Sequence, residues 1–420
     1  MNKNDTNGSY ILYSLLSFLW YTNVIEPFFE IRFIIPILGA CMILFIAMDI
    51  NGNYQTIIRK IPLSFKMQLV FYILMLPCGI LNAINPFQHI TNWFNIIEYL
   101  LIMTVIIYYS LTRGSMQPLL WNISAISVVL SIILIARPID LGGNLGRYSI
   151  TKNTNPNGLA VFLSIGIWSI LFLLSNNRLF KPLGLTALGI IVYAILLTGS
   201  RKGLIGSIIM MCGWFFFSFF IVNKKQHMNR MASLISMSIA LVAFVLILLP
   251  YYNNSSLSSR METISSEVST GTRSRLIEMG LEDFKNNILF GYGFGGFELL
   301  HGVYSHSTII EVLVSCGLLM SSFYFLSYLV LGIELLQKQS ALLHNHMDNR
   351  RYDETFNTVR MGIVLFIVVC FYSTCIIHIY EISSMIIFGL LFSSDSYITI
   401  EEVSSMQEEK QQTTFSKYIR

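Results

Sequence analysis

Basic residues and one histidine lie at the ends of apolar segments, where they could bind an anion and accept a proton. Arg147 precedes an NPNG turn, and Arg201 and Lys202 lie in TGSRKG. His306 lies in YSHST, at the start of a long apolar run. Guanidinium groups offer forked, permanently charged donors to oxyanions. A neutral imidazole can act as a base near pH 7, although a single histidine at such a boundary is more often a capping or snorkelling residue.

The elements that must position these residues are membrane-spanning helices. Of 420 residues, 54% are hydrophobic and 12% are charged, and the mean hydropathy is +0.63. About a quarter of an average soluble protein is charged, so the composition excludes a soluble enzyme. The net charge of +4, without a basic tract interleaved with aromatic residues, argues against a nucleic-acid partner. The six cysteines lie inside apolar segments without a CxxC pair, which indicates core residues rather than disulfides or a metal site.

Apolar runs long enough to cross about 30 Å of hydrocarbon predict an all-α polytopic membrane protein with about twelve spans. We place them at residues 10–26, 28–48, 67–85, 94–112, 119–136, 157–175, 182–199, 203–222, 232–250, 307–333, 360–378 and 381–397. The organisation is therefore helices one to nine over 1–250, a long outer loop over 251–306, helices ten to twelve over 307–400 and a cytoplasmic tail over 401–420. The polar N-terminus lacks an Arg-rich region and a cleavage site, so no removable signal peptide is expected.

The distribution of Lys and Arg orients the spans and isolates a set of external cations. With the N-terminus inside, the inner loops collect basic residues at regular turns, as the positive-inside rule requires. The basic residues left on the outer side are Arg137, Arg147, Lys152, Arg201, Lys202, Arg260, Arg273, Arg275 and Lys285. For Arg260 and Lys285, a position on the solvated surface is as good an explanation as a functional role. Cations in short loops beside helix ends, held outside against the insertion bias, indicate a bound anion.

The long outer loop contains an amphipathic helix that starts near Thr272 or Ser274. Apolar residues recur there at helical spacing: Ile277, Leu281, Phe284 and Ile288. We expect this helix to lie at the outer membrane interface. Arg275 and Glu278, three residues apart, could equally pair with each other.

The sequence GYGFGG follows that helix and satisfies a lone GxGxxG pattern at Gly291, Gly293 and Gly296. A dinucleotide fingerprint also needs a preceding strand and a βαβ unit, neither of which is predicted. The segment is therefore interpreted as a bend that re-aims the chain before the next span. Close approach of the backbone to a bound ligand is the alternative.

One carboxylate, Glu311, lies about one turn inside the tenth span. An unpaired charge is costly there, so we expect an arginine partner first and a catalytic carboxylate in a wet cavity second. Glu98, within the fourth span, raises the same question.

Four motifs in chain order resemble the O-antigen ligase and O-antigen or capsule repeat-unit polymerase superfamily. They are RYSITKNTNPNGLA, LTGSRKGLIG, the loop ending in TRSRLIEMGLEDFKNNILFGYGFGGF, and the histidine of SHS. The resemblance covers roughly residues 137–330. Members usually have His-Asn where this chain has His306 and Ser307, a departure that weakens any role borrowed for the neighbouring amide.

The resemblance implies a GT-C-like membrane glycosyltransferase that uses no metal or cofactor. Its implied substrates are undecaprenyl-pyrophosphate-linked glycans at the outer face of the bacterial cytoplasmic membrane, and its other partners are the bilayer and a chain-length regulator. The catalytic set that it implies is His306, Arg201 and Arg275. The substrate-binding set is Arg147, Lys152, Lys202, Arg273 and Glu311. Either Arg273 or Arg275 would hold the pyrophosphate with Arg201.

Three other functions compete with a repeat-unit polymerase. A ligase would transfer the glycan to lipid A core or another acceptor, and a single sequence does not separate the two securely. A lipid-oligosaccharide flippase should carry internal repeats and charges near the bilayer midplane, and neither is seen in the sequence. A structural scaffold would leave Arg201 and His306 unexplained.

Overall fold

The regular secondary structure of the described chain is helical, apart from one pair of two-residue strands. The computed structural model describes residues 3–29, 31, 33–50, 60–113, 115–141, 147–176, 181–220, 250, 271–344 and 350–396. The helices are α1 (Lys3–Trp20), which continues through a π-helical turn (Tyr21–Ile25) into α2 (Glu26–Phe29), α3 (Ile34–Asp49), α4 (Leu63–Asn82), α5 (Pro86–Arg113), α6 (Gln117–Ala136), α7 (Pro156–Asn176), α8 (Lys181–Thr198), α9 (Arg201–Phe220), α10 (Thr272–Asn286), α11 (Gly296–His301), α12 (Thr308–His344), α13 (Arg350–Cys375), a 3₁₀ turn (His378–Tyr380) and α14 (Ile382–Ser396). Strands β1 (Ile139–Asp140) and β2 (Tyr148–Ser149) pair antiparallel.

Six described helices are long and apolar enough to cross a membrane, which agrees with an all-α membrane protein. They are Leu63–Asn82, Pro86–Thr112, Gln117–Ala136, Pro156–Ser175, Thr308–Leu343 and Glu354–Cys375. Each coincides with a predicted span, and shorter apolar helices cover Ile34–Asp49, Pro182–Thr198 and Ser383–Asp395. The total of twelve is not confirmed. The predicted span 232–250, most of the loop before 271 and the tail 401–420 lie outside the described residues.

Helix α7 forms the centre of one half of the bundle. Of its spanning window, 89% is buried, and it contacts α6, α8, α9 and α13. Small residues let its neighbours approach closely: a Cβ at Gly203 of α9 would lie 2.5 Å from the Cβ of Ala160. The indole of Trp168 donates to the carbonyl of Met361, at 2.9 Å. This packing holds the NPNG turn and the TGSR turn at the same end of the bundle.

The tenth predicted span is not continuous, because α12 breaks at Gly317, where φ is 60° and ψ is −176°. Residues 288–296, which contain the predicted bend and are called the glycine segment below, pack against the break. The backbone amide of Leu318 donates a hydrogen bond to the Ile288 carbonyl at 2.6 Å. The backbone amide of Tyr292 donates one to the Val314 carbonyl at 2.9 Å. Irregular backbone at membrane depth needs such partners. The bend is confirmed, and it also completes a broken helix.

The same glycine segment is tied to two other parts of the fold. The Phe294 amide donates to Nδ1 of His89 at 2.9 Å, and the Gly295 amide donates to the Tyr380 hydroxyl at 3.1 Å. The side-chain amide of Asn92 donates to the Phe294 carbonyl at 3.3 Å. The segment therefore joins α5, α12 and the 3₁₀ turn around one point.

Helix α10 confirms the helix that was predicted to start near Thr272, since it begins at that residue. Its N-cap is Gly271, and the Ser274 hydroxyl donates to the Gly271 carbonyl at 2.9 Å instead of capping the helix. Leu276 is buried in a small core with Phe297 and other apolar residues. Ile277 and Leu281, on the predicted apolar stripe, are 40% and 41% exposed. These two residues thus face away from the protein, and the position of the helix at a membrane interface stays a prediction.

Replacing Gly291 by alanine is expected to destabilise the protein more than the same change at Gly302. Both residues have φ +68°, so each substitution costs about 1–2 kcal/mol of left-handed backbone strain. Only Gly291 is also packed against backbone: its Cβ would lie 2.5 Å from the Gly317 amide nitrogen, whereas at Gly302 nothing lies within 4 Å. Thermal unfolding in detergent measures both variants. Equal decreases in the unfolding temperature of the two variants would contradict the packing of the glycine segment against the broken helix.

Candidate functional site

A polar cavity of about 260 Å³ opens at one end of the bundle. Ends of α7, α9 and α12 and the 3₁₀ turn meet there. The polar and aromatic residues that line it are Asn155, Asn157, Lys202, Tyr304, His306, Tyr380 and Glu381. Two residues that the sequence predicted for the site, Lys202 and His306, therefore lie in one cavity.

His306 is held in an unusual backbone conformation by its neighbours. Its φ of 58° is positive, which within the described residues occurs otherwise only at glycines. The Ser305 hydroxyl donates to the Glu311 carboxylate at 2.9 Å, and the Thr308 amide donates to the Ile376 carbonyl at 3.0 Å. A non-glycine residue in this region costs free energy, and such strain clusters at functional sites.

The surroundings of His306 favour its neutral form. Its pKa lies below the ordinary value, because partial burial disfavours the imidazolium and because Lys202 and Arg273 add positive charge. A proton bound to this ring would be destabilised by both effects. The imidazole is therefore neutral, and able to accept a proton, at pH 7.

Three cations gather around the cavity, from α9 and α10. Arg201, 9% exposed, is the first residue of α9, and Lys202 follows it on the cavity wall. The turn before them needs a glycine, since Gly199 has φ 63°. The charge of exposed Arg273 acts on both Lys202 and His306. The helix N-terminus adds its own positive end.

The remaining predicted cations, Arg147, Lys152 and Arg275, do not line the cavity themselves. Arg147 immediately precedes β2 and donates from Nη2 to Oδ1 of Asn157, at 3.0 Å, so it positions a lining residue. Lys152 and Arg275 are exposed and are not among the residues that line this cavity. Of the two arginines offered for the pyrophosphate, Arg273 is the one whose charge reaches His306.

Glu311 has hydroxyl partners instead of the expected arginine. In the described part of the chain its carboxylate accepts bonds from Ser305 at 2.9 Å, from Ser315 at 3.3 Å and from Tyr380 at 3.3 Å. It is 1% exposed. Three donors satisfy a buried carboxylate without a cation, and no arginine of the described residues pairs with Glu311. Glu311 instead positions Ser305, which adjoins His306, and Tyr380.

Glu381 is a cavity residue that sequence reasoning missed. It follows the 3₁₀ turn, and its Oε2 is buried with no hydrogen-bond partner among the described residues. Burial raises its pKa and the positive charge of Lys202 opposes the rise. Its only sequence signal was its position in the short stretch His378–Glu381, where the last two predicted spans meet. No described group of three or more His, Cys, Asp or Glu could hold a metal ion.

Residues 185–325 match a family model described as O-antigen ligase. The match spans TGSR, α10, the glycine segment and His306, and it confirms the resemblance that these motifs predicted. It implies a glycosyltransferase-like membrane enzyme with lipid-linked glycan substrates. No curated protein matches the chain.

Proposed function

We propose that this chain, with its match to the O-antigen ligase family, polymerises undecaprenyl-pyrophosphate-linked oligosaccharide repeat units into a surface polysaccharide. The reaction would take place at the outer face of the bacterial cytoplasmic membrane. The observation that carries the proposal is a neutral histidine beside Lys202 in a cavity with further cations around it. A base and a cationic surface are the two elements that glycosyl transfer from a diphosphate needs.

The proposed reaction forms one bond and breaks another at the anomeric carbon of the donor glycan. A hydroxyl oxygen of the acceptor glycan attacks this carbon, and its proton passes to His306. The bond from the anomeric carbon to the diphosphate oxygen breaks, and the electron pair leaves with undecaprenyl diphosphate. Lys202, Arg201 and Arg273 stabilise the negative charge that develops on the leaving group.

A ligase would use the same chemistry with another acceptor, so the acceptor separates the two activities. Purified protein in proteoliposomes, given a synthetic undecaprenyl-diphosphate-linked repeat unit, is expected to produce a ladder of longer lipid-linked glycans. One undecaprenyl diphosphate should be released for each transfer. A chain-length regulator added to the same vesicles should narrow the ladder.

Each other outcome identifies a different function. Transfer only to added lipid A core would replace polymerase by ligase. Movement of the lipid-linked unit across the bilayer without any new glycosidic bond would replace both by a flippase. A His306→Ala protein, which should reconstitute equally well, controls for extension by contaminants.

Replacing Arg273 by glutamine is expected to move the acid limb of the pH–rate profile to higher pH. Loss of this positive charge raises the pKa of His306, so the neutral base is lost at a higher pH than in the unmodified protein. Arg275→Gln makes the same chemical change two residues away and is expected to leave the limb in place. Measurements of kcat/KM against pH test the pair. A shift in Arg275→Gln alone would show that Arg275, and not Arg273, is the charge that lowers the pKa of His306.

A further inference from the structure

A second, smaller cavity of about 140 Å³ adjoins the cationic one, because Tyr304 and Tyr380 line both. We propose that this second cavity binds the terminal sugar of the acceptor glycan and accepts only an uncharged sugar. The inference rests on the proposed glycosyl transfer and adds the acceptor site and its selectivity. Ligand pockets for drug-sized molecules span roughly 300–1,000 Å³, so a cavity of this size suits one residue of a glycan.

One face of α5 supplies the hydrogen-bonding wall. Asn92, Asn95 and Tyr99 line the cavity at positions i, i+3 and i+7, which a helix places on one side. Asn92 is fixed by its bond to the Phe294 carbonyl, while Asn95 is exposed and has no hydrogen-bond partner within the described residues. A side-chain amide both donates and accepts. It therefore complements sugar hydroxyls, which do the same.

Whereas Lys202 lines the neighbouring cavity, this cavity is lined by carboxylates and by no described lysine or arginine. Its ionisable acids are Glu298, on α11, and Glu311. The carboxylate of Glu311 is occupied by three hydroxyls, whereas Glu298 interacts with the Tyr304 hydroxyl at the cavity wall. Carboxylates accept hydrogen bonds from hydroxyls and repel anions. The cavity should thus exclude both a diphosphate and a uronic acid, and leave the diphosphate to Lys202.

The position of the cavity also fits an acceptor. Tyr304 separates it from the cationic cavity, and His306 lies two residues further along a segment that Glu311 anchors through Ser305. A sugar bound against Asn95 and Glu298 would therefore lie next to the base that must take its proton. The donor diphosphate would lie on the far side of Tyr304.

Saturation-transfer NMR of the full chain in nanodiscs tests this pocket without any reaction. The probes are methyl β-glucoside, methyl N-acetyl-β-glucosaminide and methyl β-glucuronide. We expect at least one neutral glycoside to bind and the glucuronide not to bind. Asn95→Ala should weaken binding of the neutral glycoside at least fivefold, and Glu298→Gln should allow the glucuronide to bind. Asn286→Ala and Glu282→Gln, which make the same changes on the exposed surface of α10, should do neither.

Other results would overturn the pocket. They are the absence of binding by every neutral glycoside, binding that Asn95→Ala and Glu298→Gln leave unchanged, or binding that Lys202→Met abolishes. A response to Ca²⁺ alone that Glu298→Gln removes would make it a cation site. Failure of the polymerase proposal looks different: glycoside binding would persist while proteoliposomes extended no chain.

Discussion

Replacing His306 by asparagine is expected to lower the turnover of chain extension by about 10²–10⁴-fold, the usual contribution of a positioned proton-transfer group. Asparagine tolerates the left-handed backbone region better than most residues, so the strained φ of 58° is retained. The amide cannot take the proton of the acceptor hydroxyl. Thermal unfolding should change little, because the His306 side chain is exposed.

His306→Gly separates a chemical role from a backbone role. Glycine relieves the strain and lacks the ring, so it should be as inactive as His306→Asn although the backbone is at least as stable. In both variants the acid limb of the pH–rate profile should vanish, since the imidazole whose protonation produces this limb is gone. Turnover near the original level in His306→Asn would move the base elsewhere, and Glu381 would be the first residue to test.

The helices could be predicted from the sequence because the bilayer is a strong and simple constraint. A run of about 20 apolar residues satisfies its backbone only as a helix, and six predicted spans coincide with helices such as Gln117–Ala136 and Pro156–Ser175. Helix α10 was predicted equally well, since its apolar residues recur at helical spacing next to charged ones.

The broken helix could not be predicted, since its cause lies in another segment. Gly317 lies in an apolar run whose composition gives no sign of interruption. The break is stable because residues 288–293, which precede α12 in the chain, form hydrogen bonds with the backbone groups that the break leaves unpaired. The partners of Glu311 depend on tertiary structure in the same way. Sequence reasoning identified a costly carboxylate but not that three hydroxyls would surround it.

The site was predicted in part, for a related reason. Lys202 and His306 stand beside helix ends, where a local motif marks them, and they share one cavity. Glu381 and Asn95 belong to that end of the bundle only because helices distant in sequence meet there. Arg275 and Arg273 are two residues apart, and only the orientation of α10 distinguishes them.

Replacing Arg201 should have the second large effect, and the size of the loss should depend on the substituent. Arg201→Ala is expected to lower kcat/KM by about 10²–10³-fold, as removal of one preorganised donor from a developing anion does. Arg201→Lys keeps the positive charge and loses the planar fork that holds two phosphate oxygens. The decrease in kcat/KM of Arg201→Lys should lie between zero and that of Arg201→Ala. Its size would separate the contribution of forked binding from that of charge alone.

Arg360 provides a matched control for burial. It is 9% exposed, as Arg201 is, but it lies on α13, where its guanidinium donates to the Phe217 carbonyl at 2.9 Å and stacks on Phe356. Arg360→Lys should lower the unfolding temperature and leave kcat/KM nearly unchanged. Arg201→Lys should lower kcat/KM far more than Arg360→Lys does, because the Arg201 guanidinium is expected to act on the substrate. If both variants lost stability and activity in proportion, Arg201 would be a structural residue, and the diphosphate would be left to Lys202 and Arg273.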